Sequence, residues 1–538
     1  MAAKRSTTNK KRLTHFVTFC GYLFLFLLLS SCGSKPTDLR TVIPADSLVY
    51  LEANDLGRTL RAVTENKNFL QLAKSKPDLS ALDGVKLAVA VTGFETKEEQ
   101  ITEENSVLNF QPRFVAVVET NAWNFQAMSF TENKIGEFIN EVYGGSVDLE
   151  TSDKHGGKYF VWTSQDGRKA YALVQGSVIF FGNDESAIEK CLAVQRGEAE
   201  SIAKNPKITT GDRLAFGYVS TDGVAQIANL AGINLAMATS EEGEVKSFVA
   251  RVLPEIIRGS VQDVLWTAAK NEDGIEDKWM IAATPEVAKI FAETLAASGT
   301  AVLDLGQFVP PDTVSITRYN LNDPQIAWRS VLLSAQLKTD DFSGKLIGAF
   351  AGTLFEPYGI EDAEMFLSSV GPQIVTAKFD AEGDDVVVIT TVKESQMVKR
   401  SIAKEIDFAK PPEKLGTAVI WRSEDGEMSA AFIGQNIILG DSESVMKCLQ
   451  AQESGANFTK SPYFRKFSGS TAAAETVGKD NDSIGGIVEV LAEKKETNEF
   501  VSAAFSVETR FNQNNIERRT LSDFGVIGSI IEQFGKEQ

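Results

Sequence analysis

Three short motifs recur in the same order along this chain, and that internal duplication limits the possible folds more than any other feature of the sequence. Ile43-Pro44-Ala45-Asp46-Ser47 opens an apolar run from Leu48 to Leu51, and Val309-Pro310-Pro311-Asp312-Thr313 opens another from Val314 to Ile316. Asn54-Asp55-Leu56 and Asn322-Asp323-Pro324 then offer side chains that cap the free amides of a helix start, with proline suited to the first helical position. Trp162-Thr163-Ser164-Gln165-Asp166-Gly167 matches Trp421-Arg422-Ser423-Glu424-Asp425-Gly426, and Gly176 to Gly182 matches Gly434 to Gly440 without a gap. Asp-Gly signals a hairpin, since glycine accepts positive φ at no steric cost. Asn271 to Glu276 matches Asn512 to Glu517, again between alternating apolar runs. The offset between copies shrinks from motif to motif, as expected if the first copy carries the longer loops.

Within each copy, short strands in hairpins alternate with amphipathic stretches of helical period. The pattern predicts helices at Thr131–Val142, Glu185–Arg196, Pro285–Ala297, Glu394–Ile406 and Ser483–Lys494. The apolar segments Asn229–Ala238 and Leu346–Leu354 are expected to pack the copies together, the second of them as buried helix. The fold class that follows is α+β: two tandem copies of a hairpin-rich, mostly antiparallel sheet module with packed helices. Residues 41–300 form the first copy and 301–538 the second.

The N-terminus carries an address. Lys4, Arg5, Lys10, Lys11 and Arg12 precede an apolar run from Phe16 to Leu29, a basic segment and apolar core of signal-peptide length. The run ends in Leu29-Ser30-Ser31-Cys32-Gly33. That ending resembles the bacterial lipobox. The resemblance implies diacylglycerol on the Cys32 sulfur, cleavage that removes residues 1–31, and a lipid-anchored tether over 32–40. Several acyl chains anchor stably where one is marginal. Gly33, in place of an aspartate after the cysteine, favours the outer over the inner membrane of a two-membrane envelope. The opening Pro44-Ala45-Asp46-Ser47, with Tyr50 and Glu52, and the closing Ile516 to Gly525 resemble a widespread family of exported bacterial proteins of unassigned activity. This resemblance implies the location and the repeat, and carries over no catalytic residue.

Charge and residue counts then narrow the function. Five of the 54 basic residues and none of the 73 acidic ones lie in the leader, which leaves a mature chain of net charge −24. Such a surface repels nucleic acid. Beyond the leader no apolar run reaches spanning length. Only Cys191 and Cys448 remain besides Cys32, in helices that correspond between the copies. Buried free thiols fit that placement better than a disulfide. His155 is the one histidine left, in a polar turn, so a Ser-His-Asp triad or a multi-histidine metal site has almost nothing to draw on. Ser201-Ile202-Ala203-Lys204 and Ser401-Ile402-Ala403-Lys404 match a serine-lysine spacing at places that do not correspond, as chance matches would. Asp380 to Asp385 and Asn271 to Gly274 could offer oxygen ligands to calcium, yet both read as hairpin turns. Trp162 and Trp421 recur beside a hairpin, in packing or lining a groove.

No catalytic, metal or cofactor site is assigned. The expected partners are a membrane, through Cys32, and an envelope protein or polymer. The reading is a non-enzymatic binding or scaffold lipoprotein of the cell envelope. The alternatives are a carrier or chaperone for an apolar ligand such as a lipid, and a carboxylate-based hydrolase.

Overall fold

The computed structural model describes residues 38–100, 106–237, 244–298, 305–380, 383–460, 471–480, 483–495 and 503–536. In the first copy a 3-10 turn (Leu39–Val42) leads to β1 (Val49–Ala53), α1 (Leu56–Thr64), α2 (Lys67–Leu72), β2 (Lys86–Gln100) and β3 (Ser106–Glu119). Next come α3 (Asn124–Phe130), a π turn (Thr131–Ile135), α4 (Gly136–Val142), and the strands β4 (Asp148–Lys154), β5 (Gly157–Thr163), β6 (Lys169–Gln175) and β7 (Val178–Gly182). α5 (Glu185–Gln195), β8 (Ala215–Val219), α6 (Thr221–Met237), α7 (Glu244–Ser260), β9 (Val261–Asn271), β10 (Gly274–Ala283) and α8 (Pro285–Thr294) complete it.

The second copy repeats the strand series. It runs β11 (Ser315–Asn320), α9 (Pro324–Gln336), α10 (Asp341–Ala351), α11 (Ala363–Ser369), β12 (Val370–Lys378), β13 (Val386–Val392) and α12 (Ser395–Ser401). β14 (Glu413–Leu415), β15 (Ala418–Arg422), β16 (Met428–Ile433), β17 (Asn436–Asp441) and α13 (Ser442–Ser454) follow. It ends with β18 (Ala474–Asp480), α14 (Ser483–Leu491), β19 (Ala503–Phe511), β20 (Asn515–Ser522) and α15 (Gly525–Lys536).

Among the described residues twenty strands join one antiparallel sheet. Its spatial order is β4-β5-β6-β7-β3-β2-β1-β8-β9-β10-β20-β19-β18-β11-β12-β13-β17-β16-β15-β14. The order is a palindrome, since each strand of the first copy has its counterpart at the mirrored place. The copies meet at β10 and β20, where Ile275 faces Ser522 and Ile281 faces Ile516. Ile275 and Ile516 are equivalent, so exchanging the copies maps this ladder onto itself. Its centre is the pair Lys278 and Arg519. Glu517 holds both cations, at 3.1 and 2.6 Å.

Local chemistry explains the repeated turns. In both Asp-Gly hairpins a serine hydroxyl (Ser164, Ser423) donates to the turn aspartate (Asp166, Asp425), which also accepts from the backbone amide two residues on. Gly167 and Gly426 follow with φ of 85° and 80°. Asp55 and Asp323 cap α1 and α9 as expected.

Both faces of the sheet are covered. On one, α5 and the N-terminal 3-10 turn pack over Tyr50, Ala88, Val117 and Phe180, and α13 packs over Ile316, Val387 and Ile438. On the other, α3 and α4 cover Phe160, Trp162 and Ile179, and α11 and α12 cover Val388, Ile437 and Leu439. Between them each copy lends its last helix to its neighbour. α15 lies against β9 and β10, in a core shared by Phe69, Trp266 and Ile275 of the first copy and Ile487, Val488 and Ile527 of the second. Likewise α8 reaches β19 and α9.

Several expectations need correction. The offset between copies does not shrink steadily. The β11–β12 connection, with α9 and α10, is longer than the β1–β2 connection, and only later do the long β2–β3 hairpin and the α6–α7 pair lengthen the first copy. The fold begins before Thr41, because Asp38 caps the first turn and Leu39 is buried. The helix expected from Thr131 starts at Asn124 and passes through the π turn. The one expected to reach Ile406 stops at Ser401, where Ile402 turns into a bridge with Ile360 and buries its side chain. Leu346–Leu354 is helical but lies half-open to solvent, with Leu354 exposed. The boundary drawn at residue 300 lies outside the described residues.

Candidate functional site

Leu29, Ser30, Ser31 and Cys32 lie outside the described residues. Inside the fold, Cys191 and Cys448 are free and buried in separate cores on corresponding helices. Burial pushes the Cys191 thiol up to about 12, and Cys448 rises for the same reason. Neither is a nucleophile at neutral pH.

The other candidates resolve into structure. His155 occupies the tight β4–β5 turn with a φ of 54°, its Nε2 2.9 Å from the Glu189 carboxylate. Ser401 donates to the Val398 carbonyl and Lys404 pairs with Glu361, while Lys204 pairs with Glu200, so neither serine-lysine spacing forms a dyad. Asp380 accepts from the amides of Gly383, Asp384 and Asp385, which makes it the organiser of the β12–β13 turn. Asn271 and Gly274 close the β9–β10 hairpin. Among the described residues no three His, Cys, Asp or Glu side chains gather where a metal ion could sit.

The tryptophans pack. Trp162 is 1% exposed and stacks on Phe160. Trp421 meets Phe408 and Phe432, and the Lys399 ammonium lies 4.1 Å from its ring centroid, so the chain's own cation occupies this aromatic corner.

What sequence reasoning missed is an apolar surface on the second copy. α9 and α10 form a helical hairpin, each capped by an aspartate, Asp323 and Asp340. Both helices turn small or polar residues inward: Ala327, Ser330 and Ser334 on α9, and Ser343, Gly344 and Ala351 on α10. Several of their large apolar residues point outward, with Leu333 56% and Phe342 65% exposed and Leu337, just past the end of α9, 66% exposed. The pattern is the reverse of an ordinary surface helix. α7 of the first copy flanks this hairpin, with Phe248 against Phe350 and Arg251 against Ser343. α6, packed on α7, also carries the exposed Ile227 and Ile233.

Beside the hairpin a cleft of about 860 Å³ opens between α9, α10, α11 and α12. Trp328, Leu332, Leu333 and Ala351 give it apolar walls, and Arg329, Arg400, Lys404, Glu361 and Glu364 ring it with charge. Arg329 grips Glu364 through two bonds of 3.1 and 2.7 Å. The volume suits a small ligand. Amphipathic guests match the lining, while the paired rim offers no free carboxylate couple for acid–base work. The sequence signals for this region were the helix start at Asn322-Asp323-Pro324 and the apolar run Leu346–Leu354, and neither says which direction the helices face.

No family profile and no curated protein matches the chain. Among solved structures, three crystal forms of a protein designated TP0453 align with 43–44% of this chain and 97–100% of their own, at 9–11% identity and TM-scores of 0.22–0.23. Likeness at that level carries no argument about function. Among the described residues no helix is long and apolar enough to cross a membrane.

Proposed function

We propose that this protein is an envelope lipoprotein, cut before Cys32 and held on a membrane by lipid on that cysteine, that acts as a binding or scaffold protein without catalysis. The observation that carries the reading is the outward-facing apolar hairpin α9–α10. An exposed apolar patch of this kind on a strongly acidic chain marks a contact surface, because only burial against a partner recovers its hydrophobic free energy. The large sheet then serves as a rigid platform for it. Photo-crosslinking from position 337 in intact cells tests this: a discrete protein or polymer adduct, lost in Leu333→Ser/Phe342→Ser, is expected, and an adduct-free chain would refute it.

The cleft between α9, α10, α11 and α12 supports a second reading, a carrier for an amphipathic ligand. Native mass spectrometry of the gently released protein separates the two, since a carrier leaves the envelope with lipid-sized mass attached.

A further inference from the structure

A second apolar feature lies far from the α9–α10 hairpin, at the start of α3. Trp123 and Phe125 are 64% and 65% exposed, among the most solvent-open large apolar side chains of the described residues, and Phe130 one turn and a half further on is also exposed. The twelve residues from Thr120 to Thr131 contain no charge, in a chain in which 24% of residues are charged. The segment is held firmly. Gln126 accepts from the Trp123 amide at 3.0 Å, the Asn121 side chain donates to the Gly84 carbonyl at 2.7 Å, and Ala127 is buried against the sheet. Its aromatic rings are therefore displayed on a fixed support and are not the loose end of a loop.

The position of this tip says what covers it. The chain enters the fold at Asp38, whose carboxylate is bound by Arg40 and also feels the charge of Lys86. The 3-10 turn that follows packs against β2. Lys86 opens β2 and pairs across the ladder with Glu119, the last residue of β3 and four residues before Trp123. The entry point and the aromatic tip thus share one end of the sheet. Only Gly33 to Thr37 separate Asp38 from Cys32, a reach of about 20 Å when fully extended. An acylated Cys32 sits in the lipid headgroup layer, so this end of the sheet is brought to the bilayer surface.

We propose that the Trp123–Phe125 tip inserts into the interface of the membrane that carries the lipid anchor, as a second, non-covalent attachment that fixes the orientation of the sheet. This rests on the lipoprotein reading above. Tryptophan suits the site because its ring is apolar and its N–H remains wet. The absence of charge matters as much, since an acidic chain of this kind is otherwise repelled by anionic headgroups. Beyond Thr131 the helix carries Glu132, Glu137 and Glu141, which keeps the contact to the tip.

The test uses the full lipidated chain in phosphatidylcholine vesicles, with an environment-sensitive fluorophore on Asn124→Cys and, as control, on Asp166→Cys at the opposite end of the sheet. The native thiols Cys191 and Cys448 are buried and do not compete for label. A blue-shifted probe at 124, quenched by nitroxide lipids, with a water-exposed probe at 166, is expected. A probe at 124 as wet as that at 166, or one shielded without lipid quenching, overturns the proposal, the latter by pointing to a protein cover. The intact mass reports acyl chains on Cys32 separately, so a failed lipoprotein reading is recognised as such. In that case co-sedimentation of the Cys32→Ala chain with the same vesicles reads the tip alone, and Trp123→Ser/Phe125→Ser should lower the bound fraction by about tenfold.

Discussion

Asp277 shows how much one side chain can decide. It is 1% exposed on β10, accepts from Trp266 Nε1 at 2.8 Å and from the Val526 amide at 2.9 Å, and so caps the first turn of α15, a helix of the other copy. Gly525 is required there: its φ is 59°, and a Cβ would stand 2.7 Å from the Asp277 carboxylate. Burial pushes the Asp277 carboxyl up to about 6, against the two bonds that favour its charge. The folded state therefore takes up a proton more readily than the unfolded one. The stabilisation from that proton is full below the ordinary carboxylate range and lost as pH rises through about 6, a span on the order of 2–3 kcal/mol. Urea midpoints of the native chain should rise from pH 7.5 to pH 5 relative to Asp277→Asn, and parallel profiles would refute the assignment. A pair of buried ion pairs is the counterpart at this scale. Glu52 of β1 meets Arg213, which lies just ahead of β8, and at the place of Glu52 in the other copy Arg318 of β11 meets Glu475 within β18, so the buried strand residue changes sign and draws its partner from a different position. Motif comparison could not find this, because the two positions carry opposite charges.

At the scale of elements, turns were legible and exposure was not. The Asp-Gly hairpins and aspartate caps follow from chemistry within four or five residues, and sequence identifies them. The Asn322-Asp323-Pro324 cap and the apolar run Leu346–Leu354 likewise mark helices in the second copy, but which side faces inward depends on what those helices pack against. Here the inward side is made of Ser330, Ser334, Ser343 and Gly344. The consequence is an inverted response to mutation. Ser343→Leu adds bulk where the hydroxyl donates to Asp340 and the side chain is fully buried, and should cost about 1–3 kcal/mol. Leu337→Ser should change stability by about 0.5 kcal/mol or less while weakening partner capture. Denaturant titration of both variants checks the contrast; equal losses would mean that Leu337 is buried by a contact within the chain.

For the whole molecule, the decisive feature is the β10–β20 ladder. Sequence gave two copies but no indication of how they meet, since pairing between strands 241 positions apart leaves no local trace. Lys278 and Arg519 face each other at its centre, so Lys278→Cys/Arg519→Cys should form a disulfide on mild oxidation, read as the loss of two protons in mass and of two reactive thiols. Failure to close it would place the copies differently. Among the described residues the seam leaves the sheet two open edges. β4 carries Asp148, Glu150 and Asp153 along an exposed strand and β14 is three residues long, both poor templates for a further strand.

A ladder that maps onto itself when the copies are exchanged is the geometry by which two identical chains pair. The Lys278–Arg519 centre is thus what an ancestral homodimer would leave behind once two copies of its gene were fused end to end. Fusion frees each half from having to complement its own twin. The ion pair whose strand residue changes sign, the aromatic tip found on the first copy and the apolar hairpin found on the second are the kinds of asymmetry that such release permits, and a true dimer of one sequence could have acquired none of them on one side alone.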